Sequence, residues 1–259
     1  MPAHSVSIIE WAVFGDKKLI DGTLNKLLRH LRENGFKNTA IVVFKNIRFL
    51  IRHLLETRFD RKFRIDTAGS IALEDLVIDS HNKSRGVYYE PTPPSVFRYL
   101  LSRLNIDHRE FEFIDFGCGK GRVVVLATLY PFKKITGIEF SSDLAKAARR
   151  NIVTSDVRFR QCANVEILCM DASQFSIPNS KAVLYFYNPF DAVIMETILL
   201  NIEMSFRRSP TEKIIIYYNP QNEVVFRKFS FLKKIASAKH VLDFSSPRLS
   251  GFSIYKTIN

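Results

Sequence analysis

Cysteine is scarce in this chain of 259 residues. Cys118, Cys162 and Cys169 form an odd set with no paired ligand spacing and no histidine cluster beside it, which excludes a disulfide framework and a structural zinc site. The six histidines (His4, His30, His53, His81, His108 and His240) are dispersed. No Ser-His-acid trio or Cys-His pair has a local context, so hydrolase chemistry of that kind drops out. A long apolar run is also missing. The most apolar window, Thr39 to Leu55, is broken by Lys45, Arg48 and Arg52 and is too short and too charged to span a bilayer. The opening stretch carries Glu10, Asp16, Lys17 and Lys18 and lacks the basic start, apolar run and small-residue cleavage site of a secretion leader. There is no internal repeat, no low-complexity segment and no run of five like charges, and Gly and Pro, ten of each, are scattered. These absences lead to an expectation of a soluble, cytoplasmic protein with free thiols, no metal and no transmembrane segment.

The residues present are those of a globular chain. A hydrophobic content of 46% with 25% charged residues can bury a core. Lys and Arg outnumber Asp and Glu by 38 to 26, and the resulting net charge of +12 favours encounter with an acidic partner surface.

The hydrophobic period changes near Ile106. Before it the pattern is helical: Leu24, Leu27, Leu28 and Leu31 recur at helical spacing, and a second helix carries Lys45, Arg48, Arg52 and Glu56 on one stripe. A further apolar helix is read from Ser95 to Leu104. From Phe111 onward short apolar runs alternate with amphipathic helices. Strands are read at Phe111 to Phe116, Lys134 to Phe140, Val165 to Met170, Lys181 to Tyr187, Glu212 to Tyr218, Lys233 to Ala238 and Phe252 to Thr257. Helices fall near Gly121 to Tyr130, Ser142 to Asn151, Ala192 to Ser205 and Glu223 to Phe229, with a less regular connection after Met170. Repeated strand and helix units that end in two strands without a helix between them predict a doubly wound sheet closed by an antiparallel hairpin.

The strongest chemical signal is Asp115-Phe116-Gly117-Cys118-Gly119-Lys120-Gly121-Arg122, where a buried strand turns into a helix. Glycines there let the backbone turn sharply and approach a ligand, and the helix start offers free N–H groups. The third glycine comes two residues after the second, whereas the dinucleotide fingerprint wants it three residues on, which lowers the case for NAD. Asp115 suits a cationic or amine-bearing ligand better than a pyrophosphate. At the end of the next strand Glu139 can accept two hydrogen bonds from a ribose diol. After the third strand Asp171 can accept from an adenine amine while Ala172 offers its N–H. Three acidic residues therefore end three successive predicted strands.

This ordered set resembles the class I methyltransferase superfamily from about Phe111 onward. The resemblance implies a Rossmann-like sheet of seven strands and S-adenosylmethionine as cofactor. By the same resemblance Asp115, Gly117, Gly119 and Gly121 line its methionine half, and Glu139, Asp171 and Ala172 hold its nucleoside. It also implies two regions, residues 1–106 as an N-terminal helical cap that contributes substrate contacts and residues 107–259 as the cofactor-binding domain. Tyr88-Tyr89-Glu90-Pro91-Thr92, just before the first strand, is expected to fold over the cofactor, with Tyr89 and Thr92 in contact with it. Together with Phe59-Asp60-Arg61 and Asp66-Thr67-Ala68-Gly69, this segment is similar to bacterial methyltransferases related in outline to the Dot1-type histone-lysine enzymes.

The fourth strand runs into Tyr187-Asn188-Pro189-Phe190, which resembles the Asn-Pro-Pro-aromatic loop of amino-directed methyltransferases but has one proline. In the fuller motif an amide and a carbonyl accept N–H bonds from the target nitrogen and the aromatic packs on the substrate. The alternative is a turn of Asn-Pro capping a strand, with Phe190 in the core. The expectation is methyl transfer to a nitrogen of lysine type on a protein, with an aromatic site around Tyr187 and Phe190 favouring the neutral amine. Nucleic-acid methylation, small-molecule methylation and a catalytically silent scaffold stand as its rivals.

Overall fold

The computed structural model describes residues 17–77, 85–239 and 250–258. The opening stretch considered above lies, up to residue 16, outside the described residues, as do His4, His81 and His240. The contacts divide the chain into two compact units, one of Met1–Leu55 with Phe244–Arg248 and one of Glu56–Asp243 with Leu249–Asn259. Residues from Phe59 through Leu104 pack into the core of the larger unit.

In the smaller unit the described chain is helical. Helix α1 (Lys17–Phe63) is two helical segments joined at Gly35, whose φ of 73° and ψ of 170° lie far from helical values. The side chains of Leu24, Leu27 and Leu28, and of Lys45, Arg48 and Arg52, are outside the described set. No helix among the described residues is long and apolar enough to cross a membrane.

The larger unit is built on one seven-stranded sheet. Its strands are β1 (Glu112–Phe116), β2 (Ile135–Glu139), β3 (Val165–Cys169), β4 (Ala182–Tyr187), β5 (Lys213–Tyr218), β6 (Leu232–Ala238) and β7 (Phe252–Thr257), in the order β3-β2-β1-β4-β5-β7-β6. The first five are parallel; β7 runs antiparallel to both β5 and β6 and lies between them. The chain reverses its direction of strand addition between β3 and β4, and such switch points open a crevice at the carboxyl ends of the strands.

Strands buried on both faces need helices on both faces. On one side α2 (Pro94–Ser102), α3 (Arg122–Ala127) and α4 (Ser142–Thr154) pack on Phe113, Tyr185 and Ile216, with Phe97 edge-on to the rings of Phe113 and Tyr185. On the other side α5 (Ala192–Arg208) buries Met195, Ile198, Leu199 and Ile202 against Phe116, Phe186 and Tyr217. Local sequence sets the ends of these helices. Proline opens α2, Ser141 accepts from the Leu144 N–H at the start of α4, and Asp191 accepts from Val193 and Ile194 at the start of α5. After β3 the chain makes only a short 3-10 turn, Ala172–Gln174, and the expected helix near Glu223 is also 3-10, Glu223–Lys228.

Candidate active site at the switch point

At the carboxyl ends of β1, β2 and β4 lies a cavity of about 60 Å³. The turn after β1 forms one wall. Gly117 and Gly119 have φ of 77° and 55°, and both approach other groups too closely for a side chain. A Cβ on Gly117 would lie 2.6 Å from Cβ of Pro189, and one on Gly119 would lie 2.2 Å from the Tyr89 ring. Gly121 takes a left-handed conformation at the start of α3 and packs on Ala148, outside the residues that line the cavity.

Two buried carboxylates share this cavity. Glu139 at the end of β2 turns toward the glycine turn, where Oε2 accepts from the Gly119 N–H at 2.8 Å and Oε1 from the Ser141 N–H at 2.9 Å. Burial pushes its carboxyl up to about 7 against the opposing pull of those N–H groups. Asp115 at the end of β1 is raised well above the usual carboxylate range, first by burial and then by the charge of Glu139. A cavity that holds both acids is electrostatically suited to a cation.

The third acid, Asp171, lines an adjoining narrow cleft with Ala172, Met170 and Ile194. Gly117, Phe140 and Phe190 border both spaces, so the two are neighbours along the sheet edge. Asp171 Oδ1 accepts from the Ser173 N–H and hydroxyl, which makes the carboxylate the cap of the 3-10 turn after β3.

Residues 85–92 form a strap across the cavity. Paired N–H···O bonds between Tyr89 and Ile71, a bridge from Gly86 to Phe190, and an ion pair of 2.7 Å between Arg85 and Asp191 hold it in place. The Tyr89 ring lies on Gly119 and its hydroxyl donates to the Thr67 carbonyl at 2.7 Å. Thr92 is buried against the Tyr185 hydroxyl at 2.9 Å. Glu90 accepts at Oε2 from both the Tyr88 and the Tyr187 hydroxyls, at 3.1 and 3.0 Å.

Behind the glycine turn sits a buried ionic cluster that sequence reading missed. Arg122, 1% exposed, donates from Nε to Thr67 Oγ1 at 2.6 Å and from Nη2 to Asp60 Oδ1 at 3.2 Å, while its Nη1 stands 3.8 Å from Glu56 Oε1. Asp60 Oδ2 in turn accepts from the Thr67 and Ala68 N–H groups. Arg122 also borders the cavity, and its Nη1 is buried without a hydrogen-bond partner. One signal was available: Arg122 opens a helix whose other residues, Val-Val-Val-Leu-Ala, are all apolar. An arginine there is buried and must be paired.

The loop after β4 closes the cavity on the far side. Asn188 has φ of 39° and accepts at Oδ1 from the Tyr217 hydroxyl at 3.1 Å. Asn222 donates through Nδ2 to the Phe190 carbonyl at 3.0 Å, and Phe190 is both cavity wall and core. A second Tyr-Asn-Pro, at residues 218–220, follows β5, and its Asn219 also has positive φ, 52°. Tyr187 and Tyr218 are register partners with ring centroids 4.6 Å apart. The shared tripeptide marks two neighbouring strand ends built alike.

Residues 113–205 match the family model described as "Methyltransferase domain". Over that segment the chain is similar to a methyltransferase domain, and its sheet has the Rossmann-like methyltransferase fold. The cofactor of the domain is S-adenosylmethionine, and the matched segment holds the glycine turn, Glu139, Asp171 and the Asn188 loop. Solved structures similar to the chain include a protein of Thermoplasma acidophilum (19% identity, 72% of this chain and 93% of that one, TM-score 0.44). Others are an RNA methyltransferase from Salinibacter ruber in complex with S-adenosyl-L-homocysteine (17%, 65% and 92%, 0.42) and a magnesium protoporphyrin IX methyltransferase from Synechocystis PCC 6803 with bound cofactor (14%, 63% and 77%, 0.45). No curated protein matches the sequence.

The residues around this cavity are compatible in charge with that cofactor: the acids Asp115 and Glu139 border it beside the glycine turn, and the buried Nη1 of Arg122, without a hydrogen-bond partner, is a donor available to a carboxylate.

Proposed function

We propose that the chain transfers a methyl group from S-adenosylmethionine to an amine nitrogen, of the lysine type on a protein. The observation that carries the acceptor class is Glu90. Its carboxylate borders the same cavity as Asp115, Gly117 and Asn188 and receives two tyrosine hydroxyls, a setting made for an ammonium or amine.

S-adenosylmethionine supplies an electrophilic methyl on a sulfonium. In this proposal Gly117 and Gly119 contribute backbone contacts, Asp115 holds the amine of the methionine half, Glu139 the ribose, and Asp171 with Ala172 the base; Tyr89 and Thr92 cover the site. Transfer is a direct displacement, so alignment and exclusion of water provide most of the acceleration. An ammonium acceptor must first lose a proton. Glu90 is placed to draw the nitrogen in and take that proton, and Phe190 and Tyr187 form an aromatic wall that favours the neutral amine. Asn188 and the Pro189 carbonyl direct the lone pair.

The test is a tritiated-methyl assay on protein and small-amine fractions of a cell extract, with Asn188→Ala and Glu90→Gln beside the parent. We expect label on a protease-sensitive fraction. Both variants should lose about tenfold or more in rate while cofactor affinity stays within about threefold. Label that follows nuclease sensitivity, or unchanged rates in both variants, would overturn the acceptor assignment and leave the cofactor site standing.

A further inference from the structure

The smaller unit presents an unusual surface. Along α1 after Gly35, Phe36, Ile41, Phe44, Ile47, Ile51, Leu54 and Leu55 stand exposed, Phe36 at 80% and Phe44 at 61%. Five of them, Phe36, Phe44, Ile47, Ile51 and Leu54, are spaced 8, 3, 4 and 3 residues apart and share one helical face. Single exposed apolar side chains are ordinary; a stripe of five large ones along several turns marks a surface that is covered in use.

Charge decides what covers it. Residues 17–55 hold nine Lys and Arg against two acids, Asp21 and Glu33, a net +7 within a total of +12. The sequence interleaves the apolar stripe with Lys37, Lys45, Arg48 and Arg52. A second copy of this helix would bring +7 against +7, and a nucleic acid would satisfy the cations but leave the phenylalanines and isoleucines in water. An anionic lipid surface satisfies both, with acyl chains for the stripe and headgroups for the cations.

We infer that α1 from Gly35 to Leu55 is an in-plane anchor that docks the chain on anionic membrane surfaces. The helix lies on the bilayer and does not cross it, in keeping with the charges that interrupt its apolar window. The inference is independent of the acceptor proposed above.

The test uses the full chain with vesicles of phosphatidylcholine alone and of phosphatidylcholine mixed with phosphatidylglycerol, read by co-sedimentation at low and high salt. We expect binding to the mixed vesicles about tenfold or more tighter than to the neutral ones, and weakened by salt. Phe44→Glu with Ile51→Glu, both at exposed positions, should remove about nine-tenths of that binding. Lys45→Gln with Arg48→Gln and Arg52→Gln should erase the preference for the anionic lipid. Equal binding to both vesicles, or none, overturns the inference whatever the variants do. A concentration-dependent dimer lost in the Phe44 and Ile51 variant would assign the face to a second copy. Salt-sensitive retention of nucleic acid without vesicle binding would assign it there instead.

Discussion

Three positions around the glycine turn lend themselves to direct test. Valine at Gly119 places a Cβ against the Tyr89 ring in a backbone conformation that β-branched residues avoid. Calorimetric titration of Gly119→Val should show cofactor affinity at least about tenfold weaker, roughly 1.4 kcal/mol. Parent-like affinity there would contradict the proposed site. Glu139 gives a pH signature. Its folded value of about 7 lies above that of an unfolded glutamate, so the folded state binds the proton more tightly. The stability this adds is complete below the unfolded value and is lost as pH rises through about 7. The ligand-free chain should therefore melt at falling temperature from about pH 5 to pH 8, with a flatter profile for Glu139→Gln. Ribose hydroxyls would favour the ionised carboxylate, so cofactor affinity should move the opposite way across the same window, with proton release seen as buffer-dependent binding heats. Arg122 tests the buried cluster. Arg122→Met leaves Asp60 and Glu56 buried without their cation, at a cost of about 3–5 kcal/mol in urea unfolding.

Among the elements, the loop after β4 depends on its neighbour after β5. Tyr217 and Asn222 fasten Asn188 and the Phe190 carbonyl. Tyr217→Phe is therefore expected to lower kcat about tenfold while leaving cofactor affinity within about threefold, a split that a merely structural fault would not produce. The core has its own check: Phe97, fully buried and edge-on to Phe113 and Tyr185, should cost about 3–5 kcal/mol as Phe97→Ala. All seven strands were legible in the sequence to within a residue or two, because runs such as Lys213–Tyr218 are apolar on both faces and end at turn residues. The place of β7 between β5 and β6 was not, since the two final strands carry no helix or period that orders them. In the site, the glycine turn and Glu139 were readable from local spacing. The cluster at Arg122 was not, because its partner Asp60 lies 62 residues earlier and only the fold brings them together. Glu90 stood within a motif already noticed, but its two tyrosine donors come from both sides of the cavity.

At the scale of the whole molecule, the larger unit carries the sheet and the candidate site while residues 17–55 carry more than half of the net charge. Saturating cofactor should therefore act on one unit's unfolding. At about a hundred times its dissociation constant it would stabilise the folded state by about 2.7 kcal/mol, and an unmoved melting transition would speak against cofactor binding. The strand order bears on how such a chain comes off the ribosome. Residues 252–257 occupy an interior place in the sheet, so β5, with Ile214, Ile215 and Ile216, keeps an open hydrogen-bonding edge until they emerge. An exposed apolar edge of that kind recruits other strands, and this is the stage of synthesis at which the protein most needs a chaperone.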